Sequence, residues 1–209
     1  METQQAIFFD RDGTLIEEIG HLHRVEDIRI YPEAFAAVRR VNQSGTLAIV
    51  ITNQSAIARG LLKEKELGDL HRFLQEAFHR EQARIDAFYY CPHHPEVGRG
   101  IYHRECTCRK PQPGMLLRAA QEFQLRLAAC YMIGDKLIDV EAGHRAGCQA
   151  VLIKTGYGEG ELQFLEEGKA SAPFPEDPLR RPDQVAGNVL EAINWIMERT
   201  IERQPGTTH

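Results

Sequence analysis

The sequence predicts a single α/β domain in which helices cover both faces of a mostly parallel sheet. Short, continuous apolar runs such as residues 46–51 are typical of strands that are buried on both faces. Amphipathic segments with helical spacing, such as residues 32–43, separate these runs. Strands that alternate with helices favour parallel pairing, because each helix returns the chain to the same edge of the sheet.

The predicted elements follow one another in a regular order. Strands are predicted at residues 7–9, 46–51, 87–90, 131–133 and 150–153. Helices are predicted at residues 32–43, 63–81, 113–124, 139–146 and 185–197. Pro32 suits the first turn of the first helix, and Ser44-Gly45 ends it. Four prolines between residues 172 and 182 indicate a surface connection, so we expect one domain over residues 1–200 and a flexible tail at 201–209.

Composition and charge exclude several classes of protein. The 209 residues are 43% hydrophobic and 26% charged, as in ordinary globular proteins, and the net charge is −5. An excess of negative charge argues against nucleic acid or an anionic membrane as a partner. No apolar run approaches the roughly 18 residues that cross a bilayer, and the run at residues 6–9 is too short for a signal peptide. A cytoplasmic location is therefore expected.

Two aspartates follow the first predicted strand, where ligands bind in open α/β sheets. Residues two apart in an extended chain face the same side, so Asp10 and Asp12 should face one ligand while Arg11 points away. Such a pair suits displacement at phosphorus: Asp10 attacks to form an acyl phosphate, and Asp12 protonates the departing oxygen and later takes a proton from water. Taken alone, the pattern is also compatible with a simple turn.

A carboxylate that attacks a phosphate dianion needs a cation nearby, because like charges repel strongly in a partly dry site. Asp135, at the end of the fourth strand, can complete an oxygen-ligand site for Mg²⁺ with Asp10. Asp139 could support that site, or it could simply be an acidic residue near a helix N-terminus.

Three further residues offer donors to a phosphoryl group. Thr52 and Asn53, which end the second strand, supply a hydroxyl and an amide, and Lys110 can neutralise the group during transfer. Each signal is weak alone. Their order along successive strand ends indicates a phosphatase.

Four segments resemble the motifs of the haloacid dehalogenase superfamily of phosphatases: FFDRDGTL, ITNQS, RKP and GDKLID. The resemblance implies a Rossmann-like fold and magnesium-dependent hydrolysis through an aspartyl phosphate. It also implies roles for several residues. These are Asp10 as nucleophile, Asp12 as general acid and base, Thr52 and Lys110 as phosphoryl stabilisers, and Asp10, Asp135 and the Asp12 carbonyl as magnesium ligands.

The loop at residues 91–108 carries a second predicted metal site. It offers three thiols and one imidazole, a set of the kind that structural zinc prefers. The predicted ligands are Cys91, His93, Cys106 and Cys108. His94 or His103 could replace His93, and a reduced loop without metal is the alternative. Members of the superfamily often carry a cap domain, but here the insertions are too short for one, so we expect a zinc clamp to stiffen the loop instead.

Longer segments are similar to the D-glycero-D-manno-heptose 1,7-bisphosphate phosphatase family, which is related to histidinol-phosphate phosphatases. These segments are GHLH, TNQSAIARG, YYCPHHP, CTCRKPQPGML and YMIGDKLIDV. The resemblance implies removal of the 7-phosphate from a heptose bisphosphate, with histidinol phosphate or another small phosphosugar as the alternative. Substrate contacts are predicted at Glu18, Gly20, His21, Asn53, Gln54, Arg59, Arg109 and Lys136.

The charges agree with a bisphosphate substrate. Arg109, Lys136 and Arg59 could hold a second phosphate that does not react, although Arg59 is equally explained as a solvated residue at a helix start. A small phosphorylated sugar is thus the expected partner, and the chain is expected to be a monomer. A zinc-stabilised binding module without catalysis is a third interpretation, which the complete set of acidic and basic residues disfavours.

Overall fold

The computed structural model describes residues 4–166 and 177–202. These residues form alternating strands and helices. The strands are β1 (Ala6–Phe9), β2 (Leu47–Asn53), β3 (Ala87–Cys91), β4 (Tyr131–Gly134), β5 (Gln149–Ile153) and β6 (Gln184–Ala186). The helices are α1 (Pro32–Gln43), α2 (Ser55–Ala58), α3 (Glu64–Arg80), α4 (Gly114–Phe123), α5 (Leu137–Ala146), α6 (Gly158–Glu166) and α7 (Val189–Glu202).

The strands form a single sheet with the order β3-β2-β1-β4-β5-β6, and every neighbouring pair is parallel. From β1 the chain winds outward to β3, then crosses to β4 and winds outward to β6. The strand order therefore reverses between β1 and β4, which opens a crevice at their carboxyl ends. Phe9 pairs in register with both Val50 and Ile133, so the residues that follow β1 lie beside the ends of both neighbours.

Helices pack on both faces of this sheet. Successive residues of β1 point to opposite faces, and Phe8 and Phe9 are both fully buried. Phe9 packs in a cluster with apolar side chains of α1, α3 and α7, whereas Phe8 packs in a cluster with those of α4 and α5. The predicted fold class, a mostly parallel sheet covered on both faces, is confirmed.

Helix α5 begins directly behind β4, and its start is well defined. The Asp139 carboxylate accepts a hydrogen bond from the Lys136 amide at 3.1 Å, which caps the helix. Gly147 ends the helix in the left-handed conformation, with φ of 87°. The helix therefore starts at Leu137, earlier than the predicted residue 139.

Three elements were not predicted: α2, α6 and β6. The predicted helix at 185–197 begins only at Val189, because residues 184–186 pair with β5 as the edge strand. Helix α7 extends to Glu202, two residues into the predicted tail, and the rest of that tail, residues 203–209, lies outside the described part. Two prolines of the predicted surface connection, Pro173 and Pro175, also lie outside it.

The described end of that connection packs on α5. Arg180 donates to the buried Glu141 carboxylate at 2.8 Å, and Arg145 pairs with the same carboxylate at 2.6 Å. On the same helix, His144 lies 2.9 Å from Asp183. Buried carboxylates are stable only when paired, so Glu141 ties this segment to the domain.

The loops after β1 and after β3 are fully described and are short. Their only helical turns are the three-residue 3-10 helices Val25–Asp27 and Gly100–Tyr102, so no cap domain is inserted there, as predicted. Within residues 4–166 and 177–202, no helix combines the length and the apolar character needed to cross a membrane.

Candidate active site

A cavity of about 440 Å³ lies at the carboxyl end of the sheet, beside the ends of β1 and β4. Most of the predicted site residues line it. They are Asp10, Asp12, Glu18, Gly20, His21, Thr52, Asn53, Gln54, Arg109, Lys110 and Lys136. Asp10 directly follows β1, and Asp135, which directly follows β4, is completely buried.

Three carboxylates meet at the base of this cavity. One oxygen of each of Asp10, Asp135 and Asp139 lies within 4.8 Å of the others. Asp135 Oδ2 accepts a hydrogen bond from the Tyr157 amide at 2.9 Å, while Asp135 Oδ1 is buried with no partner among the described residues. Burial and the charge of Asp10 raise the pKa of Asp135 to about 8.

This arrangement fits a hard divalent cation. Mg²⁺ binds oxygen ligands at about 2.0–2.1 Å, so two oxygens that share one ion lie at most about 4.2 Å apart. Oxygens within 4.8 Å of one another therefore need to approach by no more than about 0.6 Å to share the ion. Asp139 already serves Lys110 and the Lys136 amide, which leaves Asp10 and the orphaned oxygen of Asp135 as the side chains able to hold the metal. Of the two alternatives that the sequence left open for Asp139, the position near a helix N-terminus is confirmed, while its support of the metal site, through Lys110, stays a prediction.

Two glycines let the backbone approach the Asp135 carboxylate. A Cβ atom on Gly13 would lie 2.1 Å from Asp135 Oδ2, and one on Gly156 would lie 2.2 Å from it. Both glycines have positive φ, 78° and 56°. The Thr155 hydroxyl donates to the Gly13 carbonyl at 2.6 Å and holds the two loops together. No larger residue fits at either position without displacing the carboxylate.

Lys110 is the buried cation of the site. Its ammonium group lies 2.8 Å from Asp10 Oδ1 and 2.7 Å from Asp139 Oδ1, and it donates to the Ile51 carbonyl at 2.8 Å. Burial by itself would lower the pKa of Lys110, but the two carboxylates outweigh burial and raise it. The lysine is therefore charged when the carboxylates are ionised.

The side chain of Asn53 is directed at the backbone of Lys110. Its Oδ1 accepts from the Lys110 amide at 3.0 Å, and its Nδ2 donates to the Lys110 carbonyl at 3.1 Å. Asn53 also lines the cavity, so a contact with substrate stays a prediction. These two hydrogen bonds form a clamp by which Asn53, the last residue of β2, fixes the backbone of Lys110.

Asp12 is held by two side chains. The Arg11 guanidinium lies 2.9 Å from Asp12 Oδ1, and Gln54 donates to Asp12 Oδ2 at 2.9 Å and to Thr52 Oγ1 at 2.8 Å. Arg11 does not line the cavity, in agreement with the expectation that it points away from the ligand, but its side chain is only 1% exposed and contacts Asp12. Gln54, predicted as a substrate contact, connects Asp12 to Thr52 and also lines the cavity.

The outer wall of the cavity carries Lys136 in a defined position. Its ammonium group lies 3.1 Å from Glu18 Oε2 and 4.4 Å from the centre of the Tyr157 ring. Glu18 Oε1 accepts from the Gly20 amide at 2.7 Å, which shapes the turn before His21. Lys136 is thus held between an anion and an aromatic face, a geometry that orients a cation toward the cavity rim.

The two predicted arginines differ in their placement. Arg109 lines the cavity and donates to the His93 carbonyl at 3.2 Å, so its position depends on the loop that follows β3. Arg59 is exposed at the end of α2 and is not part of the cavity lining. Burial, and to a smaller extent the charge of Arg59, lowers the pKa of Arg109, so Arg59 lies near this wall and its contact with substrate stays a prediction.

The loop that follows β3 brings the predicted zinc ligands together. The three Sγ atoms of Cys91, Cys106 and Cys108 lie 3.2–3.5 Å apart, and His93 Nδ1 lies 3.4 Å from Cys108 Sγ and 3.7 Å from Cys91 Sγ. A tetrahedral site with Zn–S bonds of about 2.3 Å has ligand atoms roughly 3.8 Å apart, so the cluster fits a zinc ion after slight expansion.

His93 supplies the imidazole of this cluster, and the alternative ligands, His94 and His103, are not part of it. His94 Nδ1 accepts from the amides of Glu96 and Val97 at 3.1 and 3.2 Å, and its backbone bridges to His103. The remaining cysteines, Cys130 and Cys148, are buried in the core as expected.

Comparison with known proteins agrees with this geometry. A family model described as haloacid dehalogenase-like hydrolase matches residues 17–147. D-glycero-D-manno-heptose-1,7-bisphosphate 7-phosphatase of Thermosynechococcus vestitus is 36% identical over 195 residues, which cover 91% of this chain and 94% of the relative. The chain belongs to the haloacid dehalogenase-like hydrolase family.

Further relatives within this family point to the same group of enzymes. D-glycero-beta-D-manno-heptose-1,7-bisphosphate 7-phosphatase of Escherichia coli is 38% identical over 152 residues, 72% of this chain and 80% of the relative. The structure is similar to that of D,D-heptose 1,7-bisphosphate phosphatase from B. bronchiseptica complexed with magnesium and phosphate. The TM-score is 0.77 at 28% identity, and the match covers 94% of this chain and 99% of that one.

Sequence reasoning missed Tyr157 as a site residue. Its ring lines the cavity beside Lys136, and its amide supports Asp135. A signal existed, because Tyr157 lies between two glycines just after β5, the neighbour of β4 in the sheet. Ser55 and Ile138 also line the cavity and were not predicted, since nothing in their residue types points to a ligand.

We predict that Gly13→Ala impairs the metal site. The added methyl group would meet the Asp135 carboxylate, so we expect Mg²⁺ affinity, measured by calorimetric titration, to fall at least about tenfold. Gly45→Ala is the matched control, because Gly45 has a similar φ of 75° but no atom within 4 Å of the new methyl group. Equal losses in the two variants would mean that backbone strain, and not the contact with Asp135, causes the effect.

Proposed function

We propose that this protein removes the 7-phosphate from D-glycero-D-manno-heptose 1,7-bisphosphate through an aspartyl phosphate on Asp10. The observation that supports this most strongly is the placement of Asp10 beside both the Asp135 carboxylate and the buried ammonium of Lys110. The printed activity of the relatives, heptose-1,7-bisphosphate 7-phosphatase, supports the choice of substrate.

In the first step a carboxylate oxygen of Asp10 attacks phosphorus. Asp10 Oδ1 is engaged by the Arg11 amide at 2.7 Å and by Lys110, which leaves Oδ2 uncommitted among the described residues. As the new O–P bond forms, the bond from phosphorus to the sugar oxygen breaks, and Asp12 protonates that oxygen. In the second step water attacks phosphorus and Asp12 takes its proton, while the bond from phosphorus to the Asp10 oxygen breaks, which releases inorganic phosphate and restores the Asp10 carboxylate.

Positive charge makes the approach of two anions possible. Lys110 and the Thr52 hydroxyl lie where they can stabilise the oxygens of the transferring phosphoryl group. Asp10, Asp135 and the Asp12 backbone would hold magnesium, which supplies charge neutralisation at the phosphoryl oxygens when it is bound. The ion carried by the B. bronchiseptica relative together with phosphate supports the choice of magnesium.

The phosphate that does not react is assigned to the outer wall. Lys136 and Arg109 are the cations of that wall, and both side chains are held in place before substrate arrives. A remote phosphate bound there would orient the reacting end of the sugar. We further propose that zinc in the loop at 91–108 has a structural role, since all four ligand positions are occupied by protein side chains. We expect a cytoplasmic monomer.

A phosphate-release panel tests this function. Purified protein with Mg²⁺ should hydrolyse heptose 1,7-bisphosphate with the highest kcat/KM, ahead of histidinol phosphate and simple sugar phosphates. Asp10→Asn should abolish turnover while the circular-dichroism spectrum is unchanged, because Lys110 keeps Asp139 as its partner. Equal or better turnover of histidinol phosphate would replace the proposed substrate, and full activity of Asp10→Asn would refute the mechanism.

We predict one zinc ion per purified chain, measured by elemental analysis. Its removal by a chelator should lower the melting temperature and raise KM for the bisphosphate more than it lowers kcat, because the loop carries the carbonyl that holds Arg109. Cys130→Ser, which alters a core thiol outside the cluster, should keep the zinc content unchanged. A chain that is stable and active without zinc would refute the assignment.

We predict that Tyr157→Leu weakens substrate binding. Loss of the aromatic face under Lys136 should raise KM for the bisphosphate about threefold to tenfold with little change in kcat, as expected for a cation–π contact of about 1 kcal/mol. Tyr157→Phe keeps the ring and should retain the wild-type KM. If Phe and Leu have the same effect, the ring does not position Lys136.

A further inference from the structure

Arg11 has a charged side chain that is buried next to Asp10 and Asp12. It lies between two acidic residues of the site, yet it is among the largest fully buried side chains of the described chain, with 1% exposure. Its guanidinium contacts both oxygens of Asp12, through Nη2 at 2.9 Å and Nε at 3.2 Å. A buried guanidinium is stable only with a partner, and within the described residues Asp12 is its ion-pair partner.

The remaining edge of the guanidinium faces His71, which projects from α3. Arg11 Nη1 lies 3.4 Å from His71 Nε2, and a guanidinium can only donate hydrogen bonds. His71 Nε2 must therefore accept, so the imidazole is neutral and carries its proton on Nδ1. Burial, and to a smaller extent the charge of Arg11, lowers the pKa of His71 to about 3, which agrees with the neutral form.

The imidazole is itself fixed by packing. Its ring stacks on Phe88 of β3, with centroids 4.4 Å apart and an angle of 18° between the planes, and the residue is 8% exposed. A chain of contacts thus runs from the sheet edge through His71 and Arg11 to Asp12. None of these contacts involves the carboxylates that could hold a metal.

We propose that Arg11 and His71 are positioning residues for the general acid and base, Asp12. This inference rests on the proposed function, because it assigns the contacts around Asp12 to one step of that reaction. The neutral imidazole holds one edge of the guanidinium, and the opposite edge holds the Asp12 carboxylate in a single orientation. Proton transfer requires this orientation, since a general acid acts only within hydrogen-bond reach of the departing oxygen.

The test compares two leaving groups. An alkyl phosphate ester, such as a sugar phosphate, needs a proton on its departing oxygen, whereas 4-nitrophenyl phosphate expels a stable anion without one. His71→Phe keeps the stacking on Phe88 but removes the acceptor. We expect kcat/KM for the sugar bisphosphate to fall about tenfold and kcat/KM for 4-nitrophenyl phosphate to change less than about twofold, because general acid catalysis contributes roughly 10²–10⁴-fold in all.

Two matched variants complete the comparison. His71→Gln offers a side-chain acceptor to Arg11 and should recover most of the lost activity. His79→Phe makes the same substitution at an exposed position of α3 and should leave both activities unchanged. In an Asp12→Asn background, His71→Phe should have no further effect on residual kcat/KM, because a positioning residue has nothing left to position.

The outcomes separate this proposal from the proposed function. Equal losses on the two substrates in His71→Phe, or additive losses in the Asp12→Asn background, would overturn the positioning role and indicate a general effect on folding. No loss on either substrate would also overturn it. If wild-type protein prefers another alkyl phosphate to the heptose bisphosphate, the substrate proposal fails, but the comparison of leaving groups can be made with that ester.

Discussion

The burial of negative charge around one ammonium group is the constraint on which the rest of this structure depends. Asp10, Asp135 and Asp139 meet at the base of the cavity, and Lys110 is the cation buried among them. The excess of negative charge makes a divalent cation the natural complement. Asn53 holds the backbone of Lys110 in this position, and the glycine backbone at residues 13 and 156 lies close to the Asp135 carboxylate. The buried charges therefore constrain the residue types at these three positions.

The loop after β3 links the metal-binding cluster to the anion-binding cations. Cys108 directly precedes Arg109 and Lys110, and the His93 carbonyl accepts a hydrogen bond from Arg109. A metal bound to this cluster would therefore fix both ends of the loop at residues 91–108. The two cations that line the cavity follow this loop directly. That explains how a loop with no cap domain can form a defined wall.

The fold could be predicted wherever the signal is local. Continuous apolar strands such as β2 and amphipathic helices such as α1 were predicted, whereas β6, with three residues, was not, because it is defined by its pairing with β5. The aspartates and Lys110 were predicted from their order along the strand ends. The contact of Arg11 with His71 was not predicted. Alternation along a strand indicates which face a side chain lies on, but it does not identify a buried partner that is sixty residues away in the sequence.

The two aspartates that follow β1 show how packing separates two identical side chains. Asp10 lies against Lys110 and the carboxylates that can bind a metal, the surroundings expected of the proposed nucleophile. The Asp12 side chain lies against Arg11 and Gln54, and Arg11 in turn contacts His71 of α3. Since the environment of a carboxyl group determines the chemistry it can perform, the proposed roles of Asp10 as nucleophile and Asp12 as general acid and base would follow from these different neighbours.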